Sequence, residues 1–260
     1  MLTTRYVDGA PDWLDLATPD IAGAQSFYNG LFGWDYRLAG PDAGGYGMFR
    51  THDKVVGGGM TVEPEQSPPG WTIFFQATAA DTTARAAEDA GGSVRFKPMD
   101  VMDQGRMAIL ADPAGTPFGI WQPGSNKGMD VVNDPGALCW TELYTPDVQA
   151  AGRFFGSVLG WTTEEQAFSG GTYTIASPAA GGENAGFAGL VPLSTDPQAP
   201  GPYWLPYFAV DDPDASRAKA QQLGGRALGS PMDIEGVGRI AQLADPYGAR
   251  FAAFKAAPRS

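Results

Sequence analysis

Two carboxylates each lie two residues after a tryptophan, at equivalent places in the chain. Asp15 follows Trp13, and Glu142 follows Trp140 after an interval of 127 residues. Side chains two positions apart in a strand point to the same face, so each half would present an indole beside a carboxylate. Such a carboxylate could accept a hydrogen bond from a ligand hydroxyl or amine, or it could act as a base.

The sequence around these pairs is itself repeated. Thr18-Pro19-Asp20 recurs as Thr145-Pro146-Asp147, and Gly33-Trp34 recurs as Gly160-Trp161. Later in each half the offset becomes 133, which gives the second half about six extra residues between Trp161 and Trp204. A repeat of this length predicts two like domains. We place them at residues 1–125 and 137–260, joined by a Pro- and Gly-rich linker at 126–136.

Each half predicts the same order of elements twice, a strand, a helix and three strands. The strand at 12–18 alternates, and the following helix begins at Thr18 or Asp20 and ends at Gly33. A second strand at 71–77 and a helix at 81–90 repeat the pattern. This order predicts an α+β fold.

Composition limits the possible partners. The two halves, split after residue 127, carry 9 basic against 15 acidic and 8 against 14 residues, so each has a charge of about −6. A negative surface argues against nucleic acid and against an anionic membrane. No run of about 18 apolar residues is present, which also argues against a membrane span. The single cysteine, Cys139, cannot form an internal disulfide, and a cytoplasmic location is expected.

Three features together resemble the glyoxalase, bleomycin-resistance and extradiol-dioxygenase superfamily, which has the vicinal oxygen chelate fold. They are an Asp at a strand end, a helix ending in Phe-Tyr-x-x-Leu-Phe-Gly-Trp, and a late Asp-Pro-x-Gly. The chain is most similar to tandem two-domain glyoxalase-like proteins of actinobacteria, some of which are linked to aromatic polyketide antibiotic pathways. The resemblance implies paired βαβββ modules that form open, cup-shaped mixed sheets. It also implies a monomer whose two domains pair about a pseudo-twofold axis.

The metal site of that family is not expected here. The resemblance places two of the metal-binding positions at Trp13 and Gly119 in the first half and at Trp140 and Ala252 in the second. Transition-metal sites need imidazole or thiolate ligands, usually two or more, and the chain has one His and one Cys. We therefore predict no metal and no other cofactor.

The inward positions are instead aromatic and apolar, which is typical of small-molecule pockets. In addition to the two carboxylates, the predicted ligand-binding residues are Trp13, Phe74, Phe118, Trp121, Trp140, Tyr144, Tyr207 and Phe254. Two functions follow from this prediction. The first is metal-free binding of a planar, mainly apolar molecule, such as an aromatic polyketide or antibiotic. The second is an enzyme of secondary metabolism, hydroxylase-like or a glyoxalase-type lyase, with Asp15 or Glu142 as base.

Structural roles remain open for the same residues. Trp13 and Trp140 could fill the core, and the two carboxylates could cap a neighbouring backbone or pair with Arg106 and Arg239. Cys139 lacks a neighbouring histidine to activate it, so we interpret it as a packed thiol.

Overall fold

The structure is a computed structural model that describes residues 2–3, 5–168, 171–182 and 185–258. It contains four modules, each with a strand, a helix and further strands. The predicted α+β fold is therefore confirmed. No helix in the described part of the chain is long and apolar enough to cross a bilayer.

The first half contains two modules. The first consists of β1 (Pro11–Thr18), α1 (Ile21–Phe32), β2 (Asp35–Leu38), β3 (Gly47–Thr51) and β4 (Lys54–Thr61). The second consists of β5 (Gly70–Gln76), α2 (Ala80–Asp89), β6 (Ser93–Val101), β7 (Gly105–Ala111) and β8 (Pro117–Pro123).

The second half repeats this order. The third module consists of β9 (Leu138–Thr145), α3 (Val148–Leu159), β10 (Trp161–Phe168), β11 (Gly171–Pro178) and β12 (Ala188–Pro192). A short 3-10 helix (Leu193–Thr195) precedes the fourth module, which consists of β13 (Tyr203–Ala209), α4 (Pro213–Gln222), β14 (Arg226–Ala227), β15 (Met232–Ile234), β16 (Gly238–Ala244) and β17 (Arg250–Ala256).

The duplicated helix starts and stops are built alike. The side chains of Asp20 and Asp147 accept hydrogen bonds from the backbone N–H groups of Gly23 and Ala150, which places the N-cap at the aspartate rather than at the threonine. Such a cap is worth about 1 kcal/mol. At the other end Gly33 and Gly160 are left-handed, as a C-terminal cap requires.

Strands β1–β8 belong to one mixed sheet and β9–β17 to a second. In every module the first strand pairs in parallel with the last, as β1 does with β4 and β9 with β12. The remaining pairs within the modules are antiparallel. In each module the helix packs against strands of the same module.

The chain divides into two compact units, each with parts of both halves. One comprises residues 1–13, 72–128 and 140–204, and the other comprises 14–71, 129–139 and 205–260. Each unit therefore combines one module from each half, the second with the third and the first with the fourth.

Each unit has its own aromatic core. In the unit of the second and third modules, the buried rings that pack against one another are those of Phe75, Phe118, Phe155, Trp161, Phe187 and Trp204. In the other unit they are those of Tyr28, Trp34, Phe49, Trp71, Phe208 and Phe251. Most neighbouring rings meet edge to face or tilted, the arrangement that aromatic quadrupoles favour.

The two cores differ at one polar contact. Trp71 Nε1 donates to the hydroxyl of Tyr28 at 3.0 Å, and that hydroxyl lies 3.3 Å from a carboxylate oxygen of Asp245. At the repeat positions of the other unit, Phe155 replaces Tyr28 and Trp204 replaces Trp71. The buried Nε1 of Trp204 has no hydrogen-bond partner among the described residues.

Candidate functional site

The two carboxylates occupy equivalent places on the first strands of their halves. On β1 the side chains of Leu14 and Leu16 are buried, and Asp15 between them is half-buried on the opposite face. On β9, Glu142 is buried at the same position of the repeat. Asp15 pairs in register with Gly58 of β4, and Glu142 pairs with Gly189 of β12.

A tyrosine reaches each carboxylate: Tyr46 directly precedes β3, and Tyr173 lies on β11. The hydroxyl of Tyr46 donates to Asp15 Oδ1 at 2.5 Å, and that of Tyr173 donates to Glu142 Oε1 at 2.6 Å. Both tyrosines follow their carboxylate by 31 residues. Short O–H···O⁻ bonds of this kind are about twice as strong as bonds between neutral groups. Because both halves contain such a bond at the same spacing, the carboxylate–tyrosine pair is a duplicated feature of the fold.

The glycines beside the carboxylates give the tyrosines their space. A Cβ atom added at Gly58 would overlap with the hydroxyl of Tyr46, and one added at Gly189 would overlap with the hydroxyl of Tyr173. Because neither glycine has a left-handed backbone, the lack of a side chain matters here rather than the backbone conformation. The glycines let each phenol lie across the sheet and meet the carboxylate on the neighbouring strand.

The second half extends this pair into a network. Tyr144 donates to Glu142 Oε2 at 3.0 Å, so both carboxylate oxygens accept a phenol hydroxyl. Trp140 Nε1 donates to the hydroxyl of Tyr173 at 3.0 Å. Trp140 and Tyr173 are half-buried. Three aromatic side chains and one buried carboxylate thus form a single hydrogen-bonded group.

A stacked ring pair lies against this network. The rings of Tyr144 and Tyr203 are 4.6 Å apart between centroids and only 6° from parallel. The hydroxyl of Tyr203 donates to Asp196 Oδ2 at 2.7 Å. At the corresponding repeat positions of the first half stand Ala17 and Gly70, so the stacked pair belongs to the second half alone.

The electrostatics keep Tyr173 protonated. Burial raises its pKa well above the usual value, and the negative charge of Glu142, which accepts its hydrogen bond, raises it further. The phenol therefore remains a hydrogen-bond donor at neutral pH.

Arg106 binds Asp81 and Asp100, and Arg239 binds Asp214 and Asp233. The alternative that these arginines pair with Asp15 and Glu142 is therefore wrong, because each guanidinium group binds two carboxylates of its own module.

The other predicted ligand-binding residues of the first half divide between two faces. Trp13 is buried on β1 on the same face as Asp15. The ring of Phe74 covers Gly119, and Trp121 donates through Nε1 to the carbonyl of Asn126 at 3.1 Å. Phe118 does not share that face, because residues 118 and 121 point to opposite sides of β8. Its ring packs in the core against Phe154 and Phe155.

In the second half, Tyr207 and Phe254 lie side by side. Their strands pair in parallel, with Tyr207 opposite Ala252 and Ala209 opposite Phe254. The two rings meet edge to face at 6.2 Å. Cys139 donates from its thiol to the carbonyl of Tyr207, and burial raises its pKa to about 12, so the packed thiol remains unreactive at neutral pH.

The residues at the family's metal positions do not fit a metal ion. Trp13 and Trp140 offer indole rings, and Gly119 and Ala252 offer no donor atom. The ring of Phe74 fills the space above Gly119, and Tyr207 stands next to Ala252. The described residues contain no group of three or more His, Cys, Asp or Glu side chains that could hold a metal ion. No step of a mechanism is therefore assigned to a metal.

Sequence reasoning identified the carboxylates, Trp140 and Tyr144 but missed Tyr46, Tyr173 and Tyr203. The equal spacing of 31 residues from carboxylate to tyrosine in both halves is a sequence signal that indicates Tyr46 and Tyr173. Tyr203 has no counterpart in the first half, so the repeat holds no signal for it.

Fold and site together define a pair of glyoxalase-like domains whose metal positions are aromatic or apolar. Residues 10–120 match the Glyoxalase/Bleomycin resistance protein/Dioxygenase superfamily, and residues 140–254 match the glyoxalase-like domain family. The chain belongs to this superfamily, which confirms the resemblance drawn from the sequence.

Curated relatives align with this chain along almost their full length. The chain is 37% identical to the anthracycline biosynthesis protein DnrV of Streptomyces peucetius, over 95% of this chain and 94% of the relative. It is 35% identical to the putative glyoxylase CFP32 of Mycobacterium tuberculosis, over 98% of both chains.

Solved structures show the same fold at low sequence identity. The 2,3-dioxygenase LapB of Pseudomonas sp. KL28 aligns with a TM-score of 0.66 at 14% identity, over 98% of this chain and 95% of LapB. The Mn(II)-bound glyoxalase of Novosphingobium aromaticivorans aligns with a TM-score of 0.64 at 16% identity, over 95% and 82%.

Proposed function

We propose that this protein binds a planar, mainly apolar small molecule with hydroxyl groups, of the aromatic polyketide type, and that it does so without a metal. The observation that carries the proposal is the group around Glu142, in which a buried carboxylate is held among Trp140, Tyr144 and Tyr173. The pair of Asp15 and Tyr46 would form a second, simpler site in the first half.

The chemistry of the group suits such a ligand. The rings of Trp140 and Tyr173, which are both half-buried residues, can stack on a flat aromatic system. The carboxylate and the phenols can exchange hydrogen bonds with ligand hydroxyls, which fixes the orientation of the ligand. A mainly apolar surface with a few converging polar groups is the usual composition of a small-molecule site.

The relatives point to the same class of ligand. Two of them, DnrV and the DauV protein of Streptomyces sp. strain C5, are named as anthracycline biosynthesis proteins. Anthracyclines contain a planar, hydroxylated ring system, so a role in secondary metabolism, in biosynthesis or resistance, agrees with the chemistry of the site.

Binding explains the geometry better than base catalysis does. Both oxygens of Glu142 already accept phenol hydrogens, so a substrate proton would have to compete with a phenol hydrogen at either oxygen. A binding role has no such requirement, because the tyrosines can share their hydrogen bonds with the ligand.

The test is a fluorescence titration of the purified, chelator-treated protein with 1,8-dihydroxyanthraquinone. We expect saturable quenching of tryptophan emission, unchanged by added divalent metal, and weaker binding by Glu142→Gln. Tyr247→Phe, which removes a tyrosine–carboxylate bond to Asp20 outside the group, is the matched control. The absence of saturable quenching across a panel of hydroxylated polycyclic aromatics would refute the proposal, as would binding that needs added metal.

A further inference from the structure

We propose that Tyr203, held in place by Asp196, makes the site of the second half selective for flat ring systems. The inference rests on the proposed function and adds to it a residue that determines ligand class. Tyr203 lies at the start of β13, outside the repeat positions that carry the carboxylate and its tyrosines.

The ring of Tyr203 is oriented by two contacts. One face of the ring stacks on Tyr144 at 4.6 Å and 6°. The hydroxyl donates to Asp196 at 2.7 Å. A ring with its plane and its polar end both fixed loses little conformational entropy when a ligand binds, which favours binding of a partner that matches its plane.

Asp196 is itself fixed by the segment that contains it. Its Oδ1 accepts the backbone N–H of Gln198 at 3.2 Å, and its carbonyl accepts that of Ala199 at 3.1 Å. The 3-10 helix of residues 193–195 leads into this turn. The segment from 193 to 202 thus acts as a brace that sets the position of Tyr203.

The stack is connected to the carboxylate of the site. Tyr144, which forms the inner ring of the stack, donates to Glu142 Oε2 at 3.0 Å. Tyr144 is buried, whereas Tyr203 is half-buried. We place the ligand against Tyr203 because it is the more exposed of the two residues, and a third flat ring can add to two parallel rings. A saturated, puckered ring system has no flat π face and makes a weaker contact with that ring.

The first half supplies the internal contrast. Its repeat positions for the two stacked rings are Ala17 and Gly70, so it has a carboxylate and a tyrosine but no ring pair. Selection for flatness would accordingly be a property of the second half, added to a polar contact that both halves share.

The experiment compares two probes of similar size in the full-length protein. The flat probe is 1,8-dihydroxyanthraquinone, and the puckered probe is a saturated steroid diol. The measured quantity is the ratio of their dissociation constants in wild type, Tyr203→Leu, Tyr203→Phe and Asp196→Ala, with folding checked by circular dichroism. Stacking on one aromatic ring is worth about 1–3 kcal/mol, so Tyr203→Leu should lower the preference for the flat probe about tenfold.

The conservative variants separate the ring from its hydroxyl. Tyr203→Phe keeps the ring and should retain most of the preference. Asp196→Ala releases the ring and should lower the preference about twofold, which corresponds to the weakest value for an aromatic pair, about 0.5 kcal/mol. An unchanged ratio in Tyr203→Leu overturns the inference while leaving the proposed function intact, provided that Glu142→Gln still weakens binding. If Tyr203→Leu does not fold, an unchanged ratio in Asp196→Ala overturns it instead. If wild type binds neither probe, the proposed function fails and the inference fails with it.

Discussion

The two halves place a carboxylate at the same position but surround it differently. Asp15 is half-buried and accepts a hydrogen bond from Tyr46, whereas Glu142 is buried and accepts bonds from both Tyr144 and Tyr173. The longer side chain of Glu142 brings its carboxylate within reach of a tyrosine on its own strand. Burial of a carboxylate is costly unless hydrogen bonds compensate for lost water, and the second half supplies the additional donor together with the additional burial.

A second comparison concerns the cores. The Trp71–Tyr28–Asp245 chain of hydrogen bonds in one unit is interrupted in the other, where Phe155 leaves the Nε1 of Trp204 without a partner among the described residues. The duplicated fold therefore tolerates loss of a buried hydrogen bond in one copy while keeping it in the other.

The largest expected effect is on ligand binding in the second half. Glu142→Gln should weaken binding of 1,8-dihydroxyanthraquinone about 10- to 100-fold, since a hydrogen bond to a charged group is worth about 1.5–3 kcal/mol. Asp15→Asn should weaken it less, because the first half lacks the stacked rings. Isothermal titration of both variants measures the difference. Equal losses in the two variants would show that the two sites are equivalent.

The core comparison predicts opposite changes in stability. Tyr28→Phe should lower the free energy of unfolding by about 1–3 kcal/mol, because Trp71 Nε1 loses its acceptor in a buried place. Phe155→Tyr should raise it by about 1 kcal/mol by offering an acceptor to Trp204. Denaturant unfolding followed by circular dichroism measures both. A loss of stability in Phe155→Tyr would mean that the core has no room for the hydroxyl.

The glycine comparison predicts a loss of binding without a loss of fold. Gly189→Ala places a methyl group where the Tyr173 hydroxyl lies, so the tyrosine must leave Glu142. We expect binding to weaken about tenfold, the equivalent of about 1.4 kcal/mol. The melting temperature should fall moderately, because buried Glu142 loses one of its two phenol donors, but the fold should be retained because a side chain and not backbone is displaced. Gly70→Ala, where a Cβ has ample space, is the control, and unaltered affinity in Gly189→Ala would contradict the role of the tyrosine.

Asp12 on β1 should make the stability of the folded protein depend on pH. Its repeat counterpart on β9 is Cys139. Burial raises the pKa of Asp12, nearby Asp8 raises it further, and neither carboxylate oxygen has a partner among the described residues. The folded protein therefore keeps this proton to a higher pH than the unfolded chain, whose Asp pKa is about 3.9. The stabilising contribution is complete below that pH and is lost as the pH rises through the folded pKa.

The variant that tests this is Asp12→Asn, which cannot ionise. It should be more stable than wild type at pH 7, by about 1 kcal/mol, and the difference should disappear near pH 3.5. Parallel unfolding curves of the two proteins across this range provide the measurement. A difference that does not depend on pH would show that ionisation of Asp12 does not limit stability.

The smallest effects on stability are expected from loss of the surface ion pairs, which are alike in the two halves. Arg106 and Arg239 each bind one acid on a helix and one on a strand. Exposed pairs contribute little and are screened by salt. Arg106→Gln and Arg239→Gln should therefore lower the melting temperature slightly and equally, and less in 1 M salt. Thermal unfolding at two salt concentrations checks this, and a large loss for only one variant would break the symmetry.

Much of the fold could be predicted because its signals are local. The strand of Asp15, the helix between Asp20 and Gly33, and the repeat of both in the second half follow from alternation and caps that involve neighbouring residues. Phe118 shows the limit of that reasoning. An alternating pattern shows that a strand has two faces, but it does not show which residues lie on the inward one. On β8 Trp121 lies on the face of the predicted site, so Phe118 lies on the opposite face and points to the helices.

The sequence by itself determined the four modules, the family, and the carboxylate placed beside an indole in each half. These features depend on spacing along the chain, which the repeat displays twice. Only the tertiary structure decided which side chains meet those carboxylates. Tyr173 and Glu142 lie on different strands, and Gly189 on a third strand between them permits their contact. Tyr203 reaches the same group through a stack with Tyr144. Contacts across strands depend on how the strands are paired and on the space above a neighbouring residue. Neither can be predicted from the order of residues along one strand.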